Sequence, residues 1–353
     1  MAYILHDPSI FGIQLNPYDV YYLSADIDCL AIRWATSGGI RSNTFMRVAA
    51  LTGDVQCLQY LHNNGILWNW TTCRAAVLNG HLDALIYLHE EGCEWDYRTC
   101  SGAAANGHLD CLAYAHENGC PWNWTTCRAA AANGRLDCLA YAHEKGCKWD
   151  KWTPHAAALR GNLDCLIYAH ENSCLWLKET CEMAAGNGHL DCLIYAHENG
   201  CVWDEETCRI AAEKGHLGCL IYAHNHGCPW DEWTCEQAAK NGHLDCLIYL
   251  HEQGCEWNTQ TCRKAAGNGH LDCLIYAHEE GCPWNEWTCV AAAEMGHLDC
   301  LHYAIENGCP VERWICLYVR NPAALSYLRN RGIACSLTEG TVSDSDDSYV
   351  DDY

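Results

Sequence analysis

The sequence predicts an all-α fold of stacked helix pairs. A unit of 27 residues recurs from about residue 41 to residue 310, and each copy holds two apolar stretches of helical length that end at glycines. β-Branched runs and period-two alternation are absent, which argues against strands. A unit this short cannot bury its apolar face alone, so neighbouring units must stack. The glycines that mark successive copies are Gly53, Gly80, Gly107, Gly134, Gly161, Gly188, Gly215, Gly242, Gly269 and Gly296.

The copy that spans residues 203–229 shows how each helix is specified. Asp204 is a suitable N-cap, acidic residues follow it in the first turn, and Gly215 ends this first helix, named helix A. Helix B begins one or two residues later, is apolar around most of its circumference and ends before Gly227. Because helix A carries small inward residues such as Ala265, we expect neighbouring helices A to approach closely.

The string AAxxGHLDCLxYxxExGC, which runs from Ala184 to Cys201, resembles the helical core of an ankyrin repeat. The usual ankyrin unit has about 33 residues, and most of the stretch missing here is the part that carries the β-hairpin. Over residues 41–335 the chain is therefore similar to the truncated ankyrin-like repeats of large DNA viruses of amoebae. The resemblance implies an ankyrin-like α-solenoid of helix-turn-helix pairs that lacks the β-hairpin loops, a protein-binding role and a viral source.

The ends of the array differ from its middle. Residues 25–34 resemble a degraded helix B, so residues 1–40 are interpreted as an N-terminal segment with a degenerate capping repeat. A last helix pair, interrupted at Pro322, caps the other end of the array, which spans residues 41–335. Residues 336–353 are acidic, lack basic residues and have few apolar ones, and are predicted to form a disordered tail.

Charge and hydropathy exclude several classes of function. The chain has 45 acidic and 21 basic residues and a formal charge of -24, which argues against nucleic acid as a partner. No apolar run reaches the roughly 18 residues of a membrane span, and the N-terminus lacks the basic region of a signal peptide. We therefore expect a cytoplasmic protein without membrane contact, in the host cell cytoplasm if it is viral.

Cysteine is concentrated at three positions of the unit, which hold 27 of the 29 cysteines. Free cysteine packs as a small hydrophobe, so these residues are interpreted as core. Paired ligands such as Cys-x2-Cys, which are typical of zinc sites, do not occur, and an intracellular setting argues against disulfides. No metal site and no cofactor is predicted, although metal binding by the cysteines and histidines stays open as an alternative.

Histidine forms two ladders along the chain. The histidine of the Gly-His-Leu-Asp string, such as His81, stands at a helix start, where its ring can bond backbone groups of the turn. The second ladder, which includes His89 and His116, lies in helix B at a position that is usually apolar in ankyrin repeats. We interpret it as neutral imidazoles bonded to the adjacent repeat, with a proton-sensitive or metal-binding stripe as the alternative.

The aromatic residues divide into a regular and an irregular set. The regular tryptophans, such as Trp122 and Trp149, follow the Gly-Cys pair in most units and are predicted to pack across the turn between repeats. The irregular aromatics follow the Asp or Asn cap of helix A by one or two positions, where other units carry Glu, Lys, Thr or Gln. Since aromatic anchors are favoured at interfaces, the predicted partner-binding residues are Trp70, Tyr97, Trp124, Trp152, Trp233 and Trp287.

These observations favour a binding protein over an enzyme. No nucleophile motif, phosphate loop or unique cluster of catalytic residues occurs, because the reactive residue types recur from unit to unit. The predicted function is a monomeric scaffold or adaptor that presents the variable edge of helix A to a protein with a basic or mixed-charge surface. A self-associating structural or virion component is the first alternative, and metal sequestration by the cysteine and histidine ladders is the second.

Overall fold

A computed structural model describes residues 43–333 of this chain. Within that range the chain contains helices and no strand, so the predicted all-α arrangement of helix pairs without β-hairpins is confirmed there. The predictions for residues 1–40 and 336–353 lie outside the described residues. Odd-numbered helices are helix A of each pair and even-numbered helices are helix B. The helices are α1 Asn43–Thr52, α2 Val55–Asn63, α3 Trp70–Leu78, α4 Leu82–Glu90, α5 Tyr97–Asn106, α6 Leu109–Glu117, α7 Trp124–Ala132, α8 Leu136–Glu144, α9 Trp152–Leu159, α10 Leu163–Glu171, α11 Glu179–Gly186, α12 Leu190–Glu198, α13 Glu205–Glu213, α14 Leu217–Asn225, α15 Glu232–Asn241, α16 Leu244–Glu252, α17 Thr259–Gly267, α18 Leu271–Glu279, α19 Glu286–Met295, α20 Leu298–Glu306, α21 Ile315–Tyr318 and α22 Pro322–Asn330.

The described residues form two compact units. One comprises residues 43–207 with Ile221–His226, and the other comprises Cys208–Leu220 with residues 227–333. Within each unit the pairs stack mainly through helix A: α5 packs extensively against α7 in the first unit, and α17 against α19 in the second. Successive helices B contact each other less. The close approach that the small residues of helix A predict is therefore confirmed.

The two helices of a pair contribute differently to the core. In α5, Cys100, Ala103 and Ala104 have no exposed surface, and their small side chains let the neighbouring backbones approach. In α6, Leu112 is likewise fully buried. Burying a leucine side chain contributes about 1.5–3 kcal/mol, so helix B supplies the larger apolar side chains while helix A supplies the close contact between repeats.

Most helices A begin at a capping Asp or Asn, whereas α9 and α11 begin after Lys151 and Lys178, which form no side-chain cap. The Asn69 side chain accepts a hydrogen bond from the backbone N–H of Thr71 at 3.0 Å, and Asp231 forms a capping box with Thr234. These caps satisfy N–H groups that the helix leaves unpaired. At the other end of α15, Gly242 has a φ of 78°, in the left-handed region that favours glycine. The caps fix where the irregular aromatics stand, which is in the first turn of helix A.

Candidate partner-binding surface

The regular tryptophans belong to three-ring clusters that join successive repeats. Trp122 stacks on His116 of the preceding helix B, with ring centroids 3.7 Å apart and planes inclined by 15°. It also meets Tyr141 of the next helix B edge-on at 6.3 Å, and His116 Nδ1 lies 3.3 Å from the Tyr141 hydroxyl. Both predictions for these rings, packing across the turn and a histidine bonded to the adjacent repeat, are confirmed. The cluster recurs around Trp95, Trp149, Trp176, Trp203, Trp257 and Trp284.

The histidines of the Gly-His-Leu-Asp string contact the preceding repeat. The prediction that they bond their own turn is wrong, because the turn's backbone N–H groups already bond to helix A. Instead, His81 Nε2 lies 2.9 Å from the carbonyl oxygen of Leu51, and His108 Nε2 lies 3.2 Å from that of Leu78. The His108 ring also lies over Gly80, which has a φ of +75° and where a Cβ would come within 2.4 Å of His108 Nδ1. Glycine is therefore required at this turn by backbone conformation and by the neighbouring ring.

The cysteines of the array are buried thiols. Twenty-six of them are free and buried within residues 43–333, as the core interpretation predicts, whereas Cys316 is disulfide-bonded and departs from that expectation. Burial and a neighbouring aspartate raise the pKa of Cys138 to about 11 and that of Cys165 to about 12. Among these residues no group of three or more His, Cys, Asp or Glu side chains has an arrangement that could hold a metal ion.

The raised thiol pKa values predict that the protein loses stability at alkaline pH. An unfolded cysteine ionises from about pH 8.5, whereas Cys138 and Cys165 stay protonated in the fold up to about 11 and about 12. Above about pH 8.5 the folded state therefore binds more protons than the unfolded state. The free energy of unfolding then falls by about 1.4 kcal/mol per pH unit for each such cysteine. We expect melting temperatures measured by circular dichroism to fall steeply from about pH 9 to about pH 11.

The variant Cys138→Ala/Cys165→Ala is the control for this prediction. At neutral pH it should be less stable by about 1–2 kcal/mol for each substitution, through lost packing. Its melting temperature should nevertheless fall less steeply with pH. Tyrosines such as Tyr141, whose pKa is raised mainly by burial, contribute equally in both proteins. If melting temperature falls equally steeply with pH in the two proteins, the buried-thiol explanation is wrong. Stoichiometric zinc in the wild type, lost together with the fold in the variant, would also contradict it.

The irregular aromatics occupy two positions in the first turn of helix A. In the 27-residue register, one group stands one position earlier than the other. The first group is Trp70, Tyr97 and Trp124, and the second is Trp152, Trp233 and Trp287. Because successive residues of an α-helix point about 100° apart, the two groups face in different directions around their helices. They do not form one straight row of rings.

Most of the irregular aromatics expose a large part of their surface. The exposed fractions are 43% for Trp124, 38% for Trp152, 55% for Trp233 and 36% for Trp287, while Trp70 and Tyr97 are half-buried. The sequence interpretation missed a second kind of exposed apolar residue, directly before the regular tryptophan of the turn between repeats. Its members are Leu67, Leu175 and Val202.

A cationic side chain lies over every irregular aromatic ring. The distance from the charged group to the ring centroid is 4.4 Å for Arg98 on Trp70, 5.6 Å for Arg98 on Tyr97, 5.8 Å for Arg128 on Trp124, 5.8 Å for Lys151 on Trp152, 5.9 Å for Arg209 on Trp233 and 5.7 Å for Arg263 on Trp287. Such a pair contributes about 0.5–1 kcal/mol at an exposed site. The rings are thus held in place, and the edge of helix A carries positive charge.

Sequence analysis missed these cations. A signal existed, because the residue after the Thr-Cys pair changes from repeat to repeat just as the aromatics do. It is Arg74, Ser101, Arg128, Glu182, Arg209, Glu236 and Arg263 in the units that keep that pair and a polar residue after it. In the structure Arg74 and Arg128 are exposed at this position, whereas Glu182 and Glu236 are buried, so the variation in charge there indicated a variable contact and not uniform exposure.

In the first unit, α7 and the start of α9 bring together two irregular tryptophans, two cations and a histidine. Arg128 lies over Trp124, Lys151 lies over Trp152, and Trp152 meets His155 edge-on at 5.0 Å. Burial and then the positive charge of Arg128 lower the pKa of His155, which places Arg128 near both rings. We call Trp124, Arg128, Lys151, Trp152 and His155 the α7–α9 cluster.

Trp287 has a different environment from the other irregular aromatics. Its ring centroid lies 5.1 Å from that of Trp314 and 5.8 Å from that of Tyr318, both in the terminal pair of the array. With Arg263 on another side, much of the Trp287 ring already has partners within the protein. Of the six predicted site residues, it therefore has the least free surface among the four that are exposed.

Comparison with known proteins yields a structural similarity only. No family model and no curated protein matches the chain. Among solved structures, the human ASB11 ankyrin repeat domain is similar, with a TM-score of 0.39 and 18% sequence identity, over 44% of this chain and 84% of that one. In the described part of the chain, no helix combines the length and the apolar character that crossing a membrane requires. The function therefore has to be inferred from the surface itself.

Proposed function

We propose that this protein is an interaction scaffold that binds a partner protein along the first turns of its helices A. The observation that supports the proposal is a contrast between frame and edge. In the frame, stacked histidine and tryptophan centroids lie 3.7–4.1 Å apart from repeat to repeat. At the edge, the first turn of helix A varies among repeats, for example from WTTC at residues 70–73 to EETC at residues 205–208. Repeat proteins use such extended variable surfaces for binding.

The proposed partner-binding residues are Trp70, Tyr97, Trp124, Trp152, Trp233 and Trp287. Tryptophan, tyrosine and arginine are the residue types most enriched at interface hot spots, and here they occur in contact with each other. Because a cation already holds each ring, a partner would lose less conformational entropy by binding to it than by binding to a free side chain. Trp124 and Trp152 are the first residues to test, since they are exposed and belong to neighbouring helices A.

The proposed protein is a non-enzymatic monomer of the cytoplasm, or of the host cell cytoplasm if it is viral. The 26 free cysteines support a reducing compartment, where disulfides seldom form, whereas the disulfide of Cys316 argues against it. The proposed partner is a protein with a basic or mixed-charge surface and not a nucleic acid or a membrane. Exposed acids of helix B, such as Asp110 and Glu117, would meet its basic part.

The variant Trp124→Ala/Trp152→Ala should lose partner binding while its fold stays intact. Exposed side chains contribute little to folding, so helical content and melting should change by no more than about 0.5 kcal/mol. The measurement is affinity capture from the natural host cell, with the captured proteins quantified for wild type and variant. Binding by wild type should also weaken as salt rises, because the surface is charged.

Three outcomes would contradict parts of this proposal. Equal capture by wild type and variant would remove the two tryptophans from the site. Concentration-dependent self-association of the purified chain in sedimentation would favour the structural or virion alternative. Stoichiometric metal in the purified protein, found by elemental analysis, would favour sequestration by the cysteines and histidines.

A further inference from the structure

The first five helices A of the described chain differ in charge from most of the later ones. The protein carries a formal charge of -24, yet α1, α3, α5, α7 and α9 contain no acidic residue. By contrast, α11, α13, α15 and α19 each begin with a glutamate. Within residues 43–159 the helices A therefore carry aromatic and basic residues but no acidic ones, while Asp96 and Asp150 stand just before the starts of α5 and α9.

The cations of the α7–α9 cluster are not neutralised by the protein itself. Neither Arg128 nor Lys151 forms an ion pair with any described residue, and both are exposed. Lys178, at the start of the next helix A, shows the opposite situation. It pairs with Asp204 at 2.6 Å and with Glu182 at 3.5 Å. Lys178 is thus neutralised by carboxylates of the protein, whereas Arg128 and Lys151 can still pair with the carboxylates of a ligand.

Two acidic groups lie close to the cluster, and neither cancels its charge. Asp150 accepts a hydrogen bond from the backbone N–H of Trp152 at 3.1 Å, so its carboxylate is engaged at the start of α9. Glu179 of α11 acts electrostatically on His155. Arg128 and Lys151 therefore remain the free charges beside two exposed tryptophan rings. Carboxylates form charge-assisted bonds with guanidinium and ammonium groups, and apolar side chains pack on indole rings.

We propose that the α7–α9 cluster binds an acidic peptide segment, whose carboxylates pair with Arg128 and Lys151 while an apolar side chain packs on Trp124 and Trp152. This inference rests on the proposed scaffold function and narrows the mixed-charge partner to one with an acidic segment at this position. Single-stranded nucleic acid also binds cations and aromatic rings. Every nucleotide of such a ligand carries a phosphate charge, which a chain with a formal charge of -24 repels along the whole bound length. A peptide can place its carboxylates at Arg128 and Lys151 and remain uncharged elsewhere.

Fluorescence anisotropy with the full chain and two labelled peptides tests this proposal. The first probe is a 12-residue peptide of aspartate, glutamate and leucine, and the second has asparagine and glutamine in place of the acids. We expect the acidic peptide to bind at least tenfold more tightly than the amide peptide. The variant Arg128→Gln/Lys151→Gln should weaken binding of the acidic peptide by at least about tenfold, since each lost charged pair is worth about a factor of ten.

The matched control is Lys145→Gln/Arg160→Gln, which removes the same charge from exposed positions outside the cluster. It should bind the acidic peptide within about twofold of wild type if the contact is local. Equal binding of the two peptides, binding of neither, or equal weakening by both variants would overturn the proposal. So would single-stranded oligo(dT) that binds as tightly as the acidic peptide and depends on Arg128 and Lys151.

The experiment also separates this inference from the scaffold function. If capture of a cellular partner depends on Trp124 and Trp152 but the acidic peptide does not bind, the scaffold stands and the acidic segment is wrong. If capture does not depend on the two tryptophans while the acidic peptide binds as expected, the cluster is a peptide site but the broader edge is not the partner surface.

Discussion

Replacing Gly80 with alanine is expected to lower the free energy of unfolding by about 2–4 kcal/mol. The φ of +75° at this position costs an L-residue about 1–2 kcal/mol. The new Cβ would also lie 2.4 Å from His108 Nδ1, so the ring must move and lose its 3.2 Å hydrogen bond to the carbonyl oxygen of Leu78. Urea unfolding followed by circular dichroism measures the change.

The control for this prediction is Gly92→Ala. Gly92 has a similar φ of +83°, but a Cβ there would have nothing within 4 Å. It should therefore show only the backbone cost of about 1–2 kcal/mol. Adding His108→Ala to Gly80→Ala should recover part of the loss, because the clash disappears and the two substitutions are coupled. If Gly80→Ala and Gly92→Ala are equally destabilising, the contact between repeats is not what requires this glycine.

Replacing Trp122 and Trp149 together with alanine is expected to unfold the middle of the first unit before the rest. Each substitution should cost about 2–4 kcal/mol, because it removes a half-buried ring that stacks on the histidine of one helix B and meets the tyrosine of the next. In a repeat array each unit is stabilised by its neighbours, so the loss should appear locally. Hydrogen exchange should show early loss of protection in α6, α8 and α10.

The matched variant is Trp124→Ala/Trp152→Ala, which removes two tryptophans only two or three residues further along the chain. It should leave hydrogen exchange in the same helices unchanged, since these rings stand at an exposed edge. If both pairs of substitutions destabilise the unit to the same extent, the irregular aromatics are part of the core. The proposed partner-binding surface would then be wrong.

The helix pairs and their boundaries could be predicted because most repeats contain the same local signals. A cap such as Asp231, an apolar stretch and a glycine such as Gly242 predict the same helix boundaries, and the period carries the prediction over α11, which lacks the cap. The stacking of neighbouring units follows, since a unit of 27 residues cannot bury its own apolar face. The packing of Trp122 across the turn between repeats was predictable for the same reason.

The candidate surface depends on contacts that the period alone does not specify. Arg209 reaches Trp233 from the preceding repeat, whereas Arg128 covers Trp124 on its own helix. His81 likewise bonds the carbonyl oxygen of Leu51 in α1, the helix A of the preceding repeat, and not its own turn. The sequence by itself determined the repeat, the helix pairs and the positions of the aromatics. Only the tertiary structure decided which cation covers each ring. A long basic side chain contacts the aromatic ring that helix packing brings within about 6 Å of its charged group, and the repeat period does not specify that packing.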